Sequence, residues 1–561
     1  MDIAALLERI GRGWRGPVLA ALVALAAGLP GLIALPPLDR DESRFAQASA
    51  QMLEAGDFVS PKFQDTPRFK KPVGIYWLQA ASVAILSHVE DRRIWAYRVP
   101  SILGAMLAAA ACAWGAAAFL GPGASLLAGA MLGASFLLSA EASIAATDGV
   151  LAGGVTLAMA ALGRLYLAAR GGPAASRRVK VLFWTGMAIS ILVKGPIGPM
   201  VAALALIALC LWERRVRWLA DLGWGWGLIA ILALVGPWAL AITVASDGAF
   251  WGASLGGDLA PKLLSGQDGH GEPPGFYTML APLLLFPATV LLPAGVVAGW
   301  KMRAEPAVRF ALSWLIPGWI VFEIAPTKLI HYPLPLFGAV FWLIARGLVE
   351  PPPGRIARWT GVVLTMLVSA AFAAAGPLAA AKVSAGEGMA WAAVTALLYI
   401  AAGAAGAWFI IRSQAVRAVV AGGALALLAH GLLLGVAAPS LRALWLSSRA
   451  AKALAAAGAS PQQGVIPGPV TVAGYEEPSL VFLLGTGTEL GDASAAADAI
   501  AEGRPAIVEA RQTPAFQAAL VADGVKARRA GEGAGLDYSN NQHDVLQIFL
   551  PASAPTSESK P

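Results

Sequence analysis

The run PVLAALVALAAGLPGLIAL (17–35) passes directly into the acidic stretch PPLDRDESRF (36–45), and this junction sets the character of the whole chain. The run is long enough to cross the ~30 Å hydrocarbon core of a bilayer. Comparable apolar runs recur as far as Pro439, and hydrophobic residues make up 57% of the 561 residues, against 13% charged. Because a soluble protein carries about a quarter charged residues, the sequence predicts a multi-pass, all-α membrane protein.

The apolar runs and the basic clusters between them predict about 13 spanning helices and their orientation. The Lys and Arg clusters fall on one side of this helix order, which marks that side as the cytoplasm and places the N-terminus there. Polar segments at 36–98 and 246–277 fall on the other side. The stretch 72–89 is apolar enough to span the membrane. A span there would put the later basic clusters on the outer side, so we expect an amphipathic helix at the membrane surface or a re-entrant helix. The helices are predicted at about 17–35, 99–119, 124–141, 149–168, 181–193, 197–212, 218–244, 278–299, 308–325, 333–349, 360–380, 388–411 and 417–438.

The composition changes after the last apolar run. Residues 1–438 form the predicted transmembrane domain, and 439–553 form a small α/β domain on the outer face, followed by a disordered tail at 554–561. The α/β prediction rests on short apolar runs typical of strands and on two stretches that look helical. Strands are expected at 470–475, 480–485, 505–510 and 545–550, and helices at 492–502 and 513–523.

The charge and the cysteines exclude several classes of protein. The net charge is +7 and the pI is near 9.5, but the basic residues occur in short clusters rather than in a groove with interleaved aromatics, so no nucleic-acid partner is expected. Cys112 and Cys210 lie far apart within apolar runs, which predicts neither a disulfide framework nor a zinc site. The sequence contains no P-loop or Gly-rich nucleotide-binding motif.

The loop after the first apolar run holds the strongest candidates for chemistry. It begins with Asp41 and Glu42 and ends with Lys71 and Tyr76 at the next apolar segment. A carboxylate at this boundary can act as general base on an acceptor, and a lysine there can neutralise a lipid phosphate. The alternative is that these residues have no role in chemistry: lysines commonly extend their ammonium groups to the membrane surface, and Tyr and Trp are common at the membrane–water interface. Two adjacent acids beside a bilayer favour the functional interpretation, because charges there are costly.

The order of motifs in this loop resembles that of a known enzyme class. The chain has Asp-Glu-Ser-Arg-Phe-Ala at 41–46, Gly-Asp-Phe at 56–58, Pro61 and Lys-Pro-Val-Gly-Ile-Tyr-Trp at 71–77. This pattern resembles the polyprenyl-phosphate-dependent glycosyltransferases of GT-C type. The similarity is greatest to family 39, which includes protein mannosyltransferase-like proteins and the lipid A aminoarabinose transferases. The departures are Phe45, Phe58 and Val73, and Lys70 stands where the aminoarabinose transferases tend to have an acid.

Three further features fit the same resemblance. Asp148 in AATDGVLAG (145–153) resembles the family's second acidic position; an N-cap formed with Thr147 is the alternative, and the two roles can coexist. Lys194 matches a Lys-Gly-Pro turn of the outer face. The stretch PTKLIHYPLPLFG (326–338) matches a Lys-Tyr-Leu-Pro element that can bind phosphate by charge and hydrogen bonds, with a Pro-rich turn as the alternative. Its candidate residues are Lys328, His331 and Tyr332.

The resemblance implies a polyprenyl-phosphate-sugar donor, undecaprenyl-linked in a bacterium, and a transfer that inverts the anomeric carbon. Asp41 is then the base or acceptor-orienting acid, and Glu42 and Asp148 assist. The other candidates bind substrate, chiefly the donor phosphate: Arg44, Lys71, Tyr76, Lys194, Lys328, His331 and Tyr332.

The resemblance also implies a bacterial inner-membrane protein with a periplasmic C-terminal domain. Its acceptor is a lipid, a glycan or a protein, and the sequence leaves this choice open. The sequence requires no cofactor and predicts no metal site, and it gives no support for a divalent metal. A transporter or flippase of lipid-linked sugar is the alternative, but such a protein needs ionisable groups deep in its helices, whereas the charges here gather at the membrane boundary.

Overall fold

The computed structural model describes residues 2–264, 271–349, 353–461 and 468–552. Within these residues, seven helices are long and apolar enough to cross a membrane, or up to nine if each of two bent helix pairs is one span. The bent pairs are Trp224–Leu234 with Gly236–Ala245 and Phe276–Leu284 with Ala288–Lys301. The seven are Arg15–Ala34, Ile94–Ala116, Asp148–Ala168, Pro306–Ile324, Arg355–Val383, Met389–Ile411 and Ala415–Ser440.

The multi-pass helical architecture is confirmed, but several predicted spans are shorter or broken helices. The predicted helix at 124–141 is divided into Pro122–Gly133 and Phe136–Glu141. The turn at 194–196 separates the helix Arg177–Lys194 from the helix Ile197–Glu213. The first helix ends there because Gly195 adopts φ +62°, a conformation that residues with a side chain disfavour. The remaining helices of this part are Ile3–Ile10, Asp41–Ala55, Gly74–Leu86, Val89–Asp91, Arg217–Leu222, Ala249–Trp251, Gly252–Leu259, Ala260–Leu264, Leu334–Leu336 and Phe337–Val349.

The first polar segment, residues 36–98, is folded against the helices. It contains Asp41–Ala55, a hairpin of strands Lys62–Phe63 and Thr66–Pro67, and Gly74–Leu86. The last helix covers most of the stretch 72–89. It packs on Asp41–Ala55, where the Ser49 hydroxyl donates to the Gln79 side chain at 2.7 Å.

Small residues set the helix crossing that fixes the site. Ile94–Ala116 packs closely on Asp148–Ala168. A Cβ added to Gly104 would lie 2.4 Å from the carbonyl oxygen of Gly149, and one added to Gly153 would lie 2.6 Å from that of Gly104. Such close backbone approach is typical of membrane helix pairs, and it places the start of Asp148–Ala168 beside the first polar segment.

The C-terminal domain, residues 446–552, contains a five-stranded mixed sheet. The strand order is Glu489–Gly491, Thr471–Ala473, Ala506–Glu509, Gln542–Pro551 and Ala527–Asp537. The first three strands are parallel and the last two pairings are antiparallel, with Ala506 opposite Phe549. The helices are Leu446–Ala456, Pro478–Leu484, Ala493–Ala501, the short Ala510–Gln512 and Thr513–Ala522.

Most of the predicted elements of this domain are present, but one predicted strand is a helix, and further elements were not predicted, among them the strand Glu489–Gly491 and the helix Leu446–Ala456. The predicted strand at 480–485 is the helix Pro478–Leu484, because a short apolar run has no periodicity that separates the two states, and Pro478 favours a helix start. The strand Ala527–Asp537 was not predicted, because it is rich in glycine and charged residues, and glycine, aspartate and glutamate are uncommon in strands. The predicted disordered tail at 554–561 lies outside the described residues.

Candidate active site

A polar cavity of about 680 Å³ lies where the first polar segment, the start of Asp148–Ala168, the second polar segment (246–277) and the C-terminal domain meet. Most of its lining is charged. The basic residues are Arg40, Arg44, Arg68, Lys70, Lys71, Lys194, Lys262 and His331, and the acids are Asp41, Glu42, Glu141, Asp148, Asp258 and Glu477.

Asp41 presents its carboxylate to this cavity. Its side chain is 69% exposed, and the nearest guanidinium nitrogen of Arg68 lies 3.6 Å away. Arg68 itself is only 8% exposed, stacks on Phe45 at 4.8 Å and donates to the Tyr76 hydroxyl at 3.2 Å. The preceding residue, Arg40, has φ +60° and ψ −110°, a strained conformation for a residue with a side chain. The exposed acid therefore follows a strained turn and faces a fixed cation.

Glu42 occupies a different environment from its neighbour. Both carboxylate oxygens accept bonds from the Arg98 guanidinium at 2.8 Å, and both side chains are buried. The backbone N–H groups of Leu38 and Ala145 also donate to it, at 2.8 and 2.6 Å. The catalytic role of Glu42 stays a prediction, and the bonds that occupy its carboxylate favour a positioning role over direct proton transfer. Glu42 joins the Asp41 turn to the chain before Asp148.

Asp148 is held by Lys194, whose side chain is partly buried. Its Oδ1 accepts from the Lys194 ammonium at 2.6 Å, and its Oδ2 accepts from the Thr147 hydroxyl at 3.0 Å. His331 lies between two acids, with Nε2 3.6 Å from Asp148 and Nδ1 3.6 Å from Glu141. Burial lowers the pKa of His331 to about 4, although Asp148 opposes this effect. The imidazole is therefore neutral at pH 7.

The residues around His331 are also those that could hold a metal. One ligand atom from each of Glu141, Asp148 and His331 lies within 4.8 Å of the other two. Carboxylates with an imidazole suit first-row divalent metals. The Lys194 ammonium already neutralises Asp148 at this position. Glu141 was not singled out from the sequence, because it lies within a run predicted as a spanning helix.

Lys71 lies in the cavity and shares an acid with a second lysine. Its ammonium is 2.6 Å from Oδ2 of Asp258, while Lys262 is 2.7 Å from Oδ1 of the same carboxylate. Burial lowers the pKa of Lys71 to about 8, against the opposing effect of Asp258. Burial alone would raise the pKa of Asp258, but the two lysines more than offset it and hold that pKa below its ordinary value. An incoming phosphate would compete with Asp258 for both lysines.

Two predicted substrate-binding residues lie elsewhere. Lys328 is 3% exposed and donates to the backbone carbonyls of Glu323 and Ala325, at 2.8 and 2.6 Å, at the end of the helix Pro306–Ile324. Its ammonium thus satisfies carbonyls that a helix end leaves without partners. Tyr76 is fully buried, and its hydroxyl accepts from Arg68. Neither lines the polar cavity, whereas Arg44, Lys194, His331 and Tyr332 do.

The C-terminal domain reaches the same cavity and the turn before Asp41. Glu477 lines the cavity. The Asp39 N–H donates to the Tyr538 hydroxyl at 2.6 Å, and the Arg40 guanidinium donates to the Ser539 carbonyl at 2.8 Å. Burial raises the pKa of Asp39 to about 6. These contacts could not be read from the sequence, because they join residues about 500 positions apart.

Residues 38–250 match the family model for dolichyl-phosphate-mannose-protein mannosyltransferase. The chain is 29% identical, over 331 residues, to the undecaprenyl phosphate-alpha-4-amino-4-deoxy-L-arabinose arabinosyl transferase of Pseudomonas paraeruginosa strain PA7. It is 30% identical, over 334 residues, to that of Pseudomonas aeruginosa strain PAO1. Each match covers 57% of this chain and 58% of the relative, so the chain matches little more than half the length of these relatives.

The fold is also that of solved structures. The chain superposes on the crystal structure of ArnT from Cupriavidus metallidurans in the apo state with a TM-score of 0.73 at 19% identity, covering 94% of this chain and 97% of that one. For the same protein bound to undecaprenyl phosphate the TM-score is 0.74, with 96% and 98% covered. The family match and the relatives confirm the resemblance to the glycosyltransferases of family 39, and the two solved structures confirm the fold.

Proposed function

We propose that the chain is a membrane glycosyltransferase that moves a sugar from a polyprenyl-phosphate donor to an acceptor. The observation that carries this proposal is the convergence of Asp41, Asp148, Lys71 and Lys194 in one cavity at the ends of apolar helices. The ArnT structure of the same fold is described with undecaprenyl phosphate bound. An undecaprenyl-linked donor is therefore the form that we propose for this chain.

The cavity supplies the charges that a phosphate leaving group needs. Lys71 and Lys262 face one carboxylate that a phosphate can replace. Arg44 and Arg68 line the same space and can hydrogen-bond the phosphate oxygens as it leaves. Fixed donors of this kind stabilise charge that develops in the transition state, and one of them is typically worth about 10²–10³ in rate.

Asp41 is the group best placed to activate the acceptor. Its carboxylate is exposed in the cavity and has the Arg68 guanidinium beside it. In a single displacement, the acceptor oxygen bonds to the anomeric carbon and gives its proton to Asp41. The bond from that carbon to the phosphate oxygen breaks at the same time, and polyprenyl phosphate leaves. One such displacement inverts the anomeric configuration.

The prenyl chain of the donor needs an apolar surface in the helical part of the protein. An apolar groove of about 310 Å³ lies between the helices Phe276–Leu284, Pro306–Ile324 and Phe337–Val349. We assign the prenyl chain to this groove. Its walls include Ala281, Leu285, Leu315, Trp319, Val340 and Ile344.

The topology belongs to the same proposal. Basic clusters at 9–15, 170–180 and 214–217 are expected in the cytoplasm of a bacterium. The shorter helices, such as Pro122–Gly133 and Ile197–Glu213, then complete about 13 spans beside the longer ones. We propose that the polar cavity and the C-terminal domain lie on the periplasmic side of the inner membrane.

In the proposed reaction, lysine side chains of the protein supply the positive charge that stabilises the phosphate. Lys194 already supplies a positive charge at Asp148, and Lys71 and Lys262 supply two more at the phosphate position. We therefore expect transfer to survive treatment with a strong chelator. The acceptor is a lipid, glycan or protein group, and mass spectrometry of envelope lipids from a deletion strain would identify a lipid acceptor directly.

The test is sugar transfer by membranes that contain the full chain, supplied with an undecaprenyl-phosphate-sugar donor and an envelope extract as acceptor. Asp41→Asn should lower the rate by about 10³ or more, because the base is lost while the side-chain shape is kept. Asp65→Asn is the matched control, since Asp65 is an exposed acid of the same polar segment that does not line the cavity. Transfer by Asp41→Asn at the rate of the control would refute the proposal for Asp41.

A further inference from the structure

A second cavity, of about 800 Å³, lies at the other end of the helix that carries Asp148. It is bounded by the N-terminal turn and by the helices Ile94–Ala116, Pro122–Gly133 and Asp148–Ala168. Arg164, which lines it, follows Asp148 by four and a half turns, about 24 Å along the helix axis. The cavity is therefore separate from the polar cavity and faces the opposite membrane boundary.

Among the residues that the structure describes, Arg164 is the only charged one that lines this cavity. Its Nε and Nη2 donate to the Trp114 carbonyl at 3.1 and 2.7 Å, and its guanidinium stacks on the Trp114 ring at 4.4 Å. Among the described residues, no carboxylate lies within ion-pair distance of it. A guanidinium carries five N–H donors, so one carbonyl leaves much of its hydrogen-bonding capacity unused.

Three other arginines at buried or half-buried positions of the helical part pair with an acid. Arg98 pairs with Glu42, and both Arg170 and Arg309 pair with Glu213. A charge near the hydrocarbon core is costly unless it finds a counter-charge or reaches the polar boundary. The cavity at Arg164 thus has a cation and a large apolar wall, but no protein anion.

The rim of this cavity also favours an anion at the level of the lipid headgroups. Trp14 is 73% exposed at the rim, and tryptophan is enriched at the membrane interface. The exposed Arg12 and Arg15 flank it in sequence. Glu8, the acid of the preceding helix Ile3–Ile10, does not line the cavity, and its carboxylate accepts a hydrogen bond from the Gly123 N–H at 3.0 Å.

We propose that this cavity binds one anionic phospholipid, with its phosphate on Arg164 and an acyl chain along the apolar wall. Basic pockets between spanning helices are typical sites for anionic headgroups. The walls suit an acyl chain because they consist mainly of small and apolar side chains, among them Ala110, Ala111, Leu107 and Leu157. The site is independent of the transfer reaction and would fix the N-terminal turn against the bundle.

The test is native mass spectrometry of the purified full chain in detergent, with dioleoyl phosphatidylglycerol or dioleoyl phosphatidylcholine added at equal concentration. The wild type should carry one phosphatidylglycerol in preference to phosphatidylcholine. Arg164→Met should weaken phosphatidylglycerol binding about fivefold or more, as expected for one lost charge at a lipid headgroup.

Two further variants separate this site from general charge effects. Arg412→Met removes an arginine that also stacks on a tryptophan, Trp408, but does not line this cavity, and it should leave binding unchanged. Ala110→Phe fills the cavity while keeping Arg164 and should lose the lipid as well, which preserves the test if Arg164→Met fails to fold. Equal binding of the two lipids by the wild type, or equal losses in Arg164→Met and Arg412→Met, would overturn the proposal.

Discussion

Asp41 and Asp148 line one cavity, but the protein holds them in opposite ways. Asp148 is buried, begins a tightly packed spanning helix and is fixed by Lys194 and Thr147 from the same helical bundle. Asp41 is exposed and follows a strained turn that the C-terminal domain contacts. Under the proposed function, the buried side holds an ion pair in a fixed position. The exposed side presents the carboxylate that is proposed to react, and the C-terminal domain contacts the turn before it.

Glu42→Gln should have the largest effect, because Glu42 connects the two sides through Leu38 and Ala145. The change leaves the Arg98 guanidinium buried without its counter-charge. Removing one partner of a buried ion pair typically destabilises by ~3–5 kcal/mol. We expect a much lower thermal unfolding temperature, measured by tryptophan fluorescence of the purified protein in detergent.

The control for Glu42→Gln is Glu532→Gln, which breaks an ion pair with Arg529 in which both side chains are about half exposed. Such surface pairs contribute little, so the unfolding temperature should stay within about one or two degrees of the wild type. Equal unfolding temperatures for both variants would show that Glu42 does not tie the two sides together.

Lys194→Met tests the buried side alone. It removes the cation that neutralises Asp148 and contributes to the charge of the cavity. We expect a fall of about 10² in transfer rate, measured at saturating donor. Lys62→Met, which removes an exposed lysine outside the cavity, should leave the rate unchanged. A Lys194→Met enzyme that is fully active would remove the Lys194–Asp148 ion pair from the account.

Tyr538→Phe tests the exposed side and should have a smaller effect. It deletes the hydroxyl that accepts from the Asp39 N–H at 2.6 Å. One such hydrogen bond contributes about 0.5–1.5 kcal/mol, so transfer should fall about three- to tenfold through a less well-held Asp41. Tyr399→Phe makes the same chemical change at a buried hydroxyl for which the structure shows no partner. If the two variants have the same rate, the domain contact does not position Asp41.

Lys328→Met should have the smallest effect on transfer. The ammonium caps backbone carbonyls rather than facing the cavity. We expect rate and donor affinity to stay within about twofold of the wild type, although the unfolding temperature falls because a buried carbonyl cap is lost. A tenfold loss of donor affinity at an unchanged unfolding temperature would mean that Lys328 reaches the substrate.

The sequence predicted the main charged groups of the site because they lie in ordered motifs at membrane boundaries. Asp41, Arg44, Lys71, Asp148 and Lys194 all line the cavity. A sequence motif does not show whether a side chain faces the cavity or binds the backbone beside it. Lys328 follows a helix end by a few residues and folds back onto its carbonyls, which is a local backbone effect.

The residues that the sequence did not reveal are those that converge only through tertiary structure. Arg68 and Asp258 come from different polar segments, and Glu477 comes from the C-terminal domain. Glu141 lies in an apolar run that the structure breaks between Gly133 and Phe136. The number of spans was less predictable for the same reason, because an apolar run does not show where a helix bends or ends.

Binding of undecaprenyl phosphate to the purified chain is the most direct measurement of the central claim, that the cations of the polar cavity hold the donor phosphate. Lys71→Met should weaken binding about tenfold or more, since a hydrogen bond to a charged group is typically worth about 1.5–3 kcal/mol. Lys328→Met should bind as the wild type does. Equal affinity of Lys71→Met and the wild type would contradict the account.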